Sequence, residues 1–337
     1  MIFNLNIVMR GFFTILIVIF GLNIMEAQEV RINAGYHGFL DNREYFNDFT
    51  EHQSYFGNRI YGLGAFSFQK HHINIGLDYL HEFGNLDTGK KPKLISNYEF
   101  SNEHLLFCFG TFHRADLLNY PLLFLSDSLE YYRPLVEGSL FRFNFENSYQ
   151  QAWIDWTSRQ TDTIRETFLA GLSGHITLGN FFVDNHLLMY HYAKPKVNVN
   201  NLHIRDNGGI SIQVGYGFKP SFMADSIVVK FGEMFSYDRD RSINEVQTDF
   251  STTFEAAAYV RRFFISGWYS VGDQLILLYG EKIYRSPHYA RFDIGFLPFK
   301  NDRSSKILIS LHLVDGKLKY SQLISLRIQI NTKKYKL

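Results

Sequence analysis

The hydrophobic pattern is most regular near the end of the chain. Between Lys306 and Ile330, Ile307, Ile309, Leu311 and Leu313 alternate with Leu308, Ser310, His312 and Val314. Asp315-Gly316 follows, a dipeptide that tolerates the positive φ angles of a two-residue hairpin turn. Beyond it Leu318, Tyr320, Ile324, Leu326 and Ile328 alternate with Lys317, Lys319, Ser321, Ser325 and Arg327. Successive strand side chains point to opposite faces, so this hairpin has one apolar face and one carrying charges and hydroxyls. Such a hairpin suits the outer layer of a soluble β-sandwich, with the apolar face packed inward. It equally suits a membrane barrel, with the apolar face in lipid and the polar face on a wet lumen.

The rest of the chain favours the barrel. Period-two segments recur at Val30–Gly38, Arg59–Lys70, Ile73–Phe83, Leu94–Ser101 and Leu105–His113. They continue around Phe141, Phe143 and Phe145, then through Gln150–Arg159, Arg165–Ile176, Phe181–Tyr192, Ile210–Gly217 and Ser226–Tyr237. Thr248–Val260, Phe263–Val271 and His288–Phe299 lead into the final hairpin. The reading is all-β: a transmembrane antiparallel β-barrel of about 16 strands (roughly 14–18), each near the ten residues a tilted strand needs to cross a bilayer. The connections alternate in length. Those at 39–58, 84–92, 115–135, 193–206, 238–246 and 272–287 are long, and those between them are short. Gln160–Thr163 and Asp315-Gly316 are short members of the long series. Short periplasmic turns opposite long outer loops give this asymmetry in an outer-membrane barrel.

Composition narrows the class. The 337 residues carry 34 basic and 33 acidic side chains, without the strongly basic balance of a nucleic-acid binder. Aromatic residues reach 17%, a loading that pleated strands accommodate. Residues 1–27 read as a secretory signal: Arg10 precedes an apolar run from Gly11 to Leu22, and Ala27 offers a small residue before the cut. That run falls short of the roughly 20 residues of a spanning helix. One barrel domain is expected over 28–337. Cys108 is the single cysteine, so no internal disulfide staples the fold.

Signal, strand count, alternation and loop asymmetry together make the mature region resemble bacterial outer-membrane β-barrels, and among them the porin-like channels. The resemblance implies a place in the outer membrane of a Gram-negative bacterium and a passive, non-enzymatic channel for small polar solutes. Outer-membrane lipid is then a partner, and a homo-oligomer or other envelope proteins are further candidates. The chain departs from such barrels at its end, Lys333-Lys334-Tyr335-Lys336-Leu337, where an aromatic final residue is common. Two other classes stay open: a barrel enzyme or component of a surface export or assembly complex, and a soluble secreted all-β binding protein.

The polar face supplies the candidate lumen residues: Arg142, Glu146, Asp155, Arg159, Arg165, Arg291, Asp293, Lys319 and Arg327, with Lys230, Glu255 and Arg261 beside them. They suit a mixed-charge channel wall, or equally a salt-bridge network that fills a narrow barrel. The connection Ala115–Leu135 is too apolar for a solvated loop. Leu117, Leu118, Leu122, Leu123, Phe124, Leu125 and Leu129 would each lose about 25 cal/mol per Å² left in water. It is expected to bend inward, with Asp127, Glu130 and Arg133 setting a constriction, or to cap neighbouring loops. No cofactor or metal is expected, because adjacent His71-His72 point apart and His186 and His191 differ in parity. Ser126, Ser128, His113 and Asp116 lie near one loop, yet no spacing marks them as a catalytic unit.

Overall fold

The computed structural model describes residues 29–85, 91–115, 117–198, 201–220, 224–299, 304–332 and 335–336. The expected signal at 1–27, Asp116 and part of the 84–92 loop lie outside them. Sixteen antiparallel strands form one closed barrel: β1 Glu29–Glu44, β2 Gln53–Phe68, β3 His71–Glu82, β4 Lys93–Ser101, β5 Leu105–His113, β6 Leu135–Phe145, β7 Ser148–Ser158 and β8 Thr167–Leu178. They continue as β9 Phe181–Tyr192, β10 Arg205–Phe218, β11 Ser226–Asp240, β12 Glu245–Val260, β13 Phe263–Gly272, β14 His288–Phe296, β15 Lys306–Val314 and β16 Lys317–Asn331. β1 pairs with β2 on one side and with β16 on the other, so no edge strand is left. Closure satisfies the backbone without water, as a spanning sheet requires.

The two faces separate as the alternation predicts. Phe109, Phe143, Ile309 and Leu318 point outward and are about half exposed or more, whereas Asp155, Ser211, Ser310 and His312 point into the lumen and are buried. Several strands run further than the sequence suggests. β1 passes through Asp41-Asn42, which look like a turn, because Asp41 and Arg43 both face the lumen and bond to each other. β10 begins at Arg205, β11 runs to Asp240 and β12 starts at Glu245, so the connections at 193–206 and 238–246 shrink to 193–204 and 241–244. Polar residues prolong these strands because the ladder stays paired to Arg205, Asp240 and Glu245. Leu275–Tyr279 forms no strand; a single 3-10 turn, Lys282–Arg285, follows it.

Two long connections, 114–134 and 273–287, fold into the barrel and pack on each other. Glu281 N–H donates to Leu122 O at 2.7 Å, and Ser126 N–H donates to Tyr279 O at 2.9 Å. Gly280 permits this approach, since a Cβ there would sit 1.6 Å from Leu123 O. The first segment carries a one-turn helix, α1 (Ser128–Tyr132). Leu118, Leu123, Phe124, Leu125, Leu275, Leu277 and Ile283 from these segments meet Val136, Leu140, Trp153, Leu169, Leu188 and Met234 from the wall. This is a buried apolar core inside the barrel. Tyr131 of α1 stacks on Phe39 with ring centroids 4.3 Å apart.

Candidate functional site

Ion pairs between wall and plug fix the plug in place. Arg43 Nη2 donates to Asp41 at 2.7 Å and to Asp127 at 2.5 Å, while Nη1 donates to Glu281 at 2.6 Å. One guanidinium therefore joins the wall to both inward segments. Burial alone would raise the Asp127 carboxyl, but Arg43 overrides it and holds the group below the usual carboxylate range. Glu130 pairs with Arg327, and Arg114 and Arg133 grip the buried Asp155 at 2.7 and 3.1 Å. Arg142 donates to Gln151 and to Leu117 O. Arg291 bonds Asp293 at 2.6 Å and Tyr284 Oη at 2.9 Å.

The other wall candidates lie elsewhere. Glu146 sits in the exposed β6–β7 turn at φ 51°, outside the lumen. Arg159 is exposed at the rim, and Arg165 turns to the backbone oxygens of Ala193 and His203. Lys319 Nζ lies 3.5 Å from the Phe46 ring centroid. His113, Ser126 and Ser128 do not form a catalytic unit; Ser126 Oγ bonds Ser128 and Glu281 within the plug.

Beneath the plug, toward the short turns, remains a cavity of about 560 Å³. His175 Nδ1 and Asp184 Oδ1 are 2.7 Å apart on its wall, and Lys230 Nζ lies 3.3 Å from Asp184 and 3.5 Å from Glu255. These groups line the space between plug and turns.

A second pairing of the same kind lies on the outside. Trp156, Phe168, His191, Asp206 and Arg239 form one row across β7 to β11, each directly opposite the next in the ladder. All five point outward, because they alternate with lumen residues such as Asp155, Leu169, Tyr190 and Asn207. The row lies at the long-loop end: His191 and Arg239 are next to last in their strands, and Asp206 is second in its own. His191 Nδ1 is 2.6 Å from Asp206 Oδ1, and Arg241 Nε donates to Asp206 Oδ2 at 2.5 Å. A carboxylate only accepts hydrogen bonds, so Nδ1 is the donor in this pair and, in the neutral ring, Nε2 carries the lone pair. Phe168 packs on His191 at 5.0 Å and stacks on Trp156 at 5.3 Å, giving the imidazole an apolar flank.

The parity of His186 and His191 is visible in the sequence, and His186 indeed faces inward, bonded to Asn119 O. Asp206 is not visible as its partner while 193–206 reads as loop. The signal was present: Asp206, Gly208 and Ile210 continue the outward series of β10 back to the rim.

A closed antiparallel barrel with an apolar outer wall, short turns at one end and long loops at the other is an outer-membrane β-barrel. Within that class the chain belongs to the lipid A 3'-O-deacylase-type family, whose model matches residues 22–330. It is similar in structure to OmpT, an outer-membrane protein of Vibrio cholerae. The in-vitro folded form aligns at TM-score 0.56 and 9% identity and the loop L8 deletion mutant at 0.55 and 11%, each over 90% of this chain and 100% of theirs. An anion-selective porin from Comamonas acidovorans aligns at 0.53 and 10% identity, over 90% of this chain and 100% of that one. At such identity the likeness is one of fold. No curated protein matches the sequence. The outer membrane of a Gram-negative bacterium is therefore the chain's location. The expectation of a non-enzymatic barrel is corrected here, because the family is one of deacylating enzymes.

Proposed function

We propose that this barrel is an outer-membrane hydrolase that removes an ester-linked acyl chain from a lipid A-type glycolipid, at the outward row on the long-loop rim. The observation that carries the reading is the His191–Asp206 pair on the outward face of the wall, 2.6 Å apart, at the long-loop rim. A glycolipid ester there lies between acyl chains and headgroup. Trp156 and Phe168 offer an apolar surface for the chain, and Arg239 and Arg241 lie on the headgroup side. The lumen offers no such contact with lipid, and the apolar plug fills its outer half.

The chemistry balances with water alone. Asp206 holds the Nδ1–H, orienting the ring and stabilising the imidazolium that forms, as the carboxylate does in a hydrolytic triad. His191 Nε2 takes a proton from a water whose oxygen adds to the ester carbonyl. The same imidazolium then protonates the departing sugar oxygen, releasing a free fatty acid and a sugar hydroxyl. General-base catalysis of this kind contributes about 10²–10⁴-fold. The test is mass spectrometry of lipid A incubated with the purified barrel. Loss of one acyl chain is expected for the wild type, with Asp206→Asn and His191→Gln each slower by at least about 100-fold. Unchanged lipid A with the folded wild type, or full activity in both variants, overturns the reading.

A further inference from the structure

Glu233 breaks the rule that the rest of the outer wall obeys. It is the eighth of fifteen residues in β11, and its neighbours opposite are Ile212 on β10 and Thr252 on β12. Met234, next in sequence, is buried in the lumen, so Glu233 points out. The lipid-facing side chains around it include Phe231, Phe254 and Ile212, all about half exposed. Among the described residues, the other ionisable groups that face outward, such as Glu137, Asp206 and Arg239, lie within three residues of a strand end. Seven residues separate Glu233 from each end of β11, which puts it midway along the spanning strand.

Among the described residues the carboxyl has one donor, Thr252 Oγ1, at 3.0 and 3.1 Å from its two oxygens. Two strands away, across Ile212, stands Asn185, also outward and also inside its strand. Among the described residues the Asn185 carboxamide has no side-chain partner, and it offers two donors. Lipid can satisfy neither group, and an ionisable residue within the membrane marks a contact that can.

We propose that the β9–β12 face is where two copies of this chain meet in the outer membrane, Glu233 of each accepting from Asn185 of the other. In a symmetric pair, residue i of one copy meets residue j of its partner and the reverse, so the face must carry both halves of the bond. This one does: an acceptor short of donors and a donor without an acceptor, about two strand spacings apart on a surface otherwise apolar. That complementarity points to a second copy and not to an unrelated partner. Strands of such barrels tilt by about 35–45°, so the chain from Asn185 to His191 carries the rim row upward and to one side of the contact. The contact is centred six residues along the strands from His191 and Arg239 of the row. The inference is independent of the hydrolase reading.

Native mass spectrometry of the full chain released in mild detergent tests it, with chemical cross-linking in intact outer membranes as a second readout. The wild type is expected to run as an oligomer. Glu233→Leu and Asn185→Leu should each weaken association at least tenfold while keeping the heat-modifiable migration of a folded barrel. A Glu233→Cys, Asn185→Cys double variant should cross-link to a second copy under oxidation, position 233 of one meeting position 185 of the other, since Cys108 is buried and cannot compete. A wild type that is monomeric by both readouts overturns the inference. So does undiminished association of the folded Leu variants, or a stoichiometric foreign envelope protein in place of the second copy.

Discussion

β8 to β12 carry one chemical arrangement twice, on opposite faces and at opposite ends. Inside, His175 Nδ1 meets Asp184 at 2.7 Å with Lys230 on the other side of the carboxylate. Outside, His191 Nδ1 meets Asp206 at 2.6 Å with Arg241 in the matching place. Their geometry alone does not distinguish them. What differs is the face each occupies: the inner group lines the cavity under the plug, and the outer one stands on the outward wall at the long-loop rim. Along β9 the two are separated by a change of parity and by the length of the strand, and this decides which could meet a glycolipid ester.

The inner side of this contrast is the more sensitive to mutation. Arg43→Leu leaves Asp41, Asp127 and Glu281 facing one another without their shared cation. A loss of about 3–5 kcal/mol is expected, read as a lower denaturant midpoint for the folded barrel. A shift under about 1 kcal/mol would show that Arg43 does not hold the plug.

The faces themselves come next. Phe143→Arg puts a charge into lipid and should cost about 2–4 kcal/mol of assembly, while Asn144→Arg, one residue along and facing water, should be tolerated. Equal damage at both would remove the distinction between lipid and lumen on which the two histidines depend.

Much of this architecture could be read from the sequence, and the parts that could not have a common cause. Strand number, closure into a barrel and the two faces followed from period-two alternation, which is local. The inward course of 115–135 was signalled by its leucines, because so much apolar area needs cover. The partners of that segment depended on ladder register around the whole barrel. Arg43 and Glu281 are 238 residues apart, and no spacing connects them. Asp206 was obscured for a different reason: turn-like polar residues hid the true start of β10, and a register error at its end conceals every contact of the rim. The enzymatic character stood in the sequence only as an open alternative to the channel, since no residue spacing marked a catalytic unit.

Smaller effects sharpen the outer half of the comparison. Trp156→Ala removes apolar surface beside Phe168, the ring that flanks His191, and should raise KM several-fold with little change in kcat, as loss of uniform binding does. A fall in kcat instead would place the ring among the reacting groups. Acid should act on the plug before it unfolds the strands. The Asp127 carboxyl lies below its ordinary value near 3.8, so its contribution is fully present above that pH and fades as pH falls through the lower, folded value. Asp127→Asn should flatten the stability profile in that acid window and leave it unchanged at neutral pH relative to its own plateau.

The central claim is that the lipid-facing histidine, and not its twin in the lumen, performs the hydrolysis. Acyl release from lipid A should be measured for His191→Gln and His175→Gln in parallel, each in barrels verified as folded by heat-modifiable migration. The account predicts loss of at least about 100-fold for His191→Gln and wild-type rates for His175→Gln. The opposite pattern, activity lost with His175 and kept without His191, would contradict it.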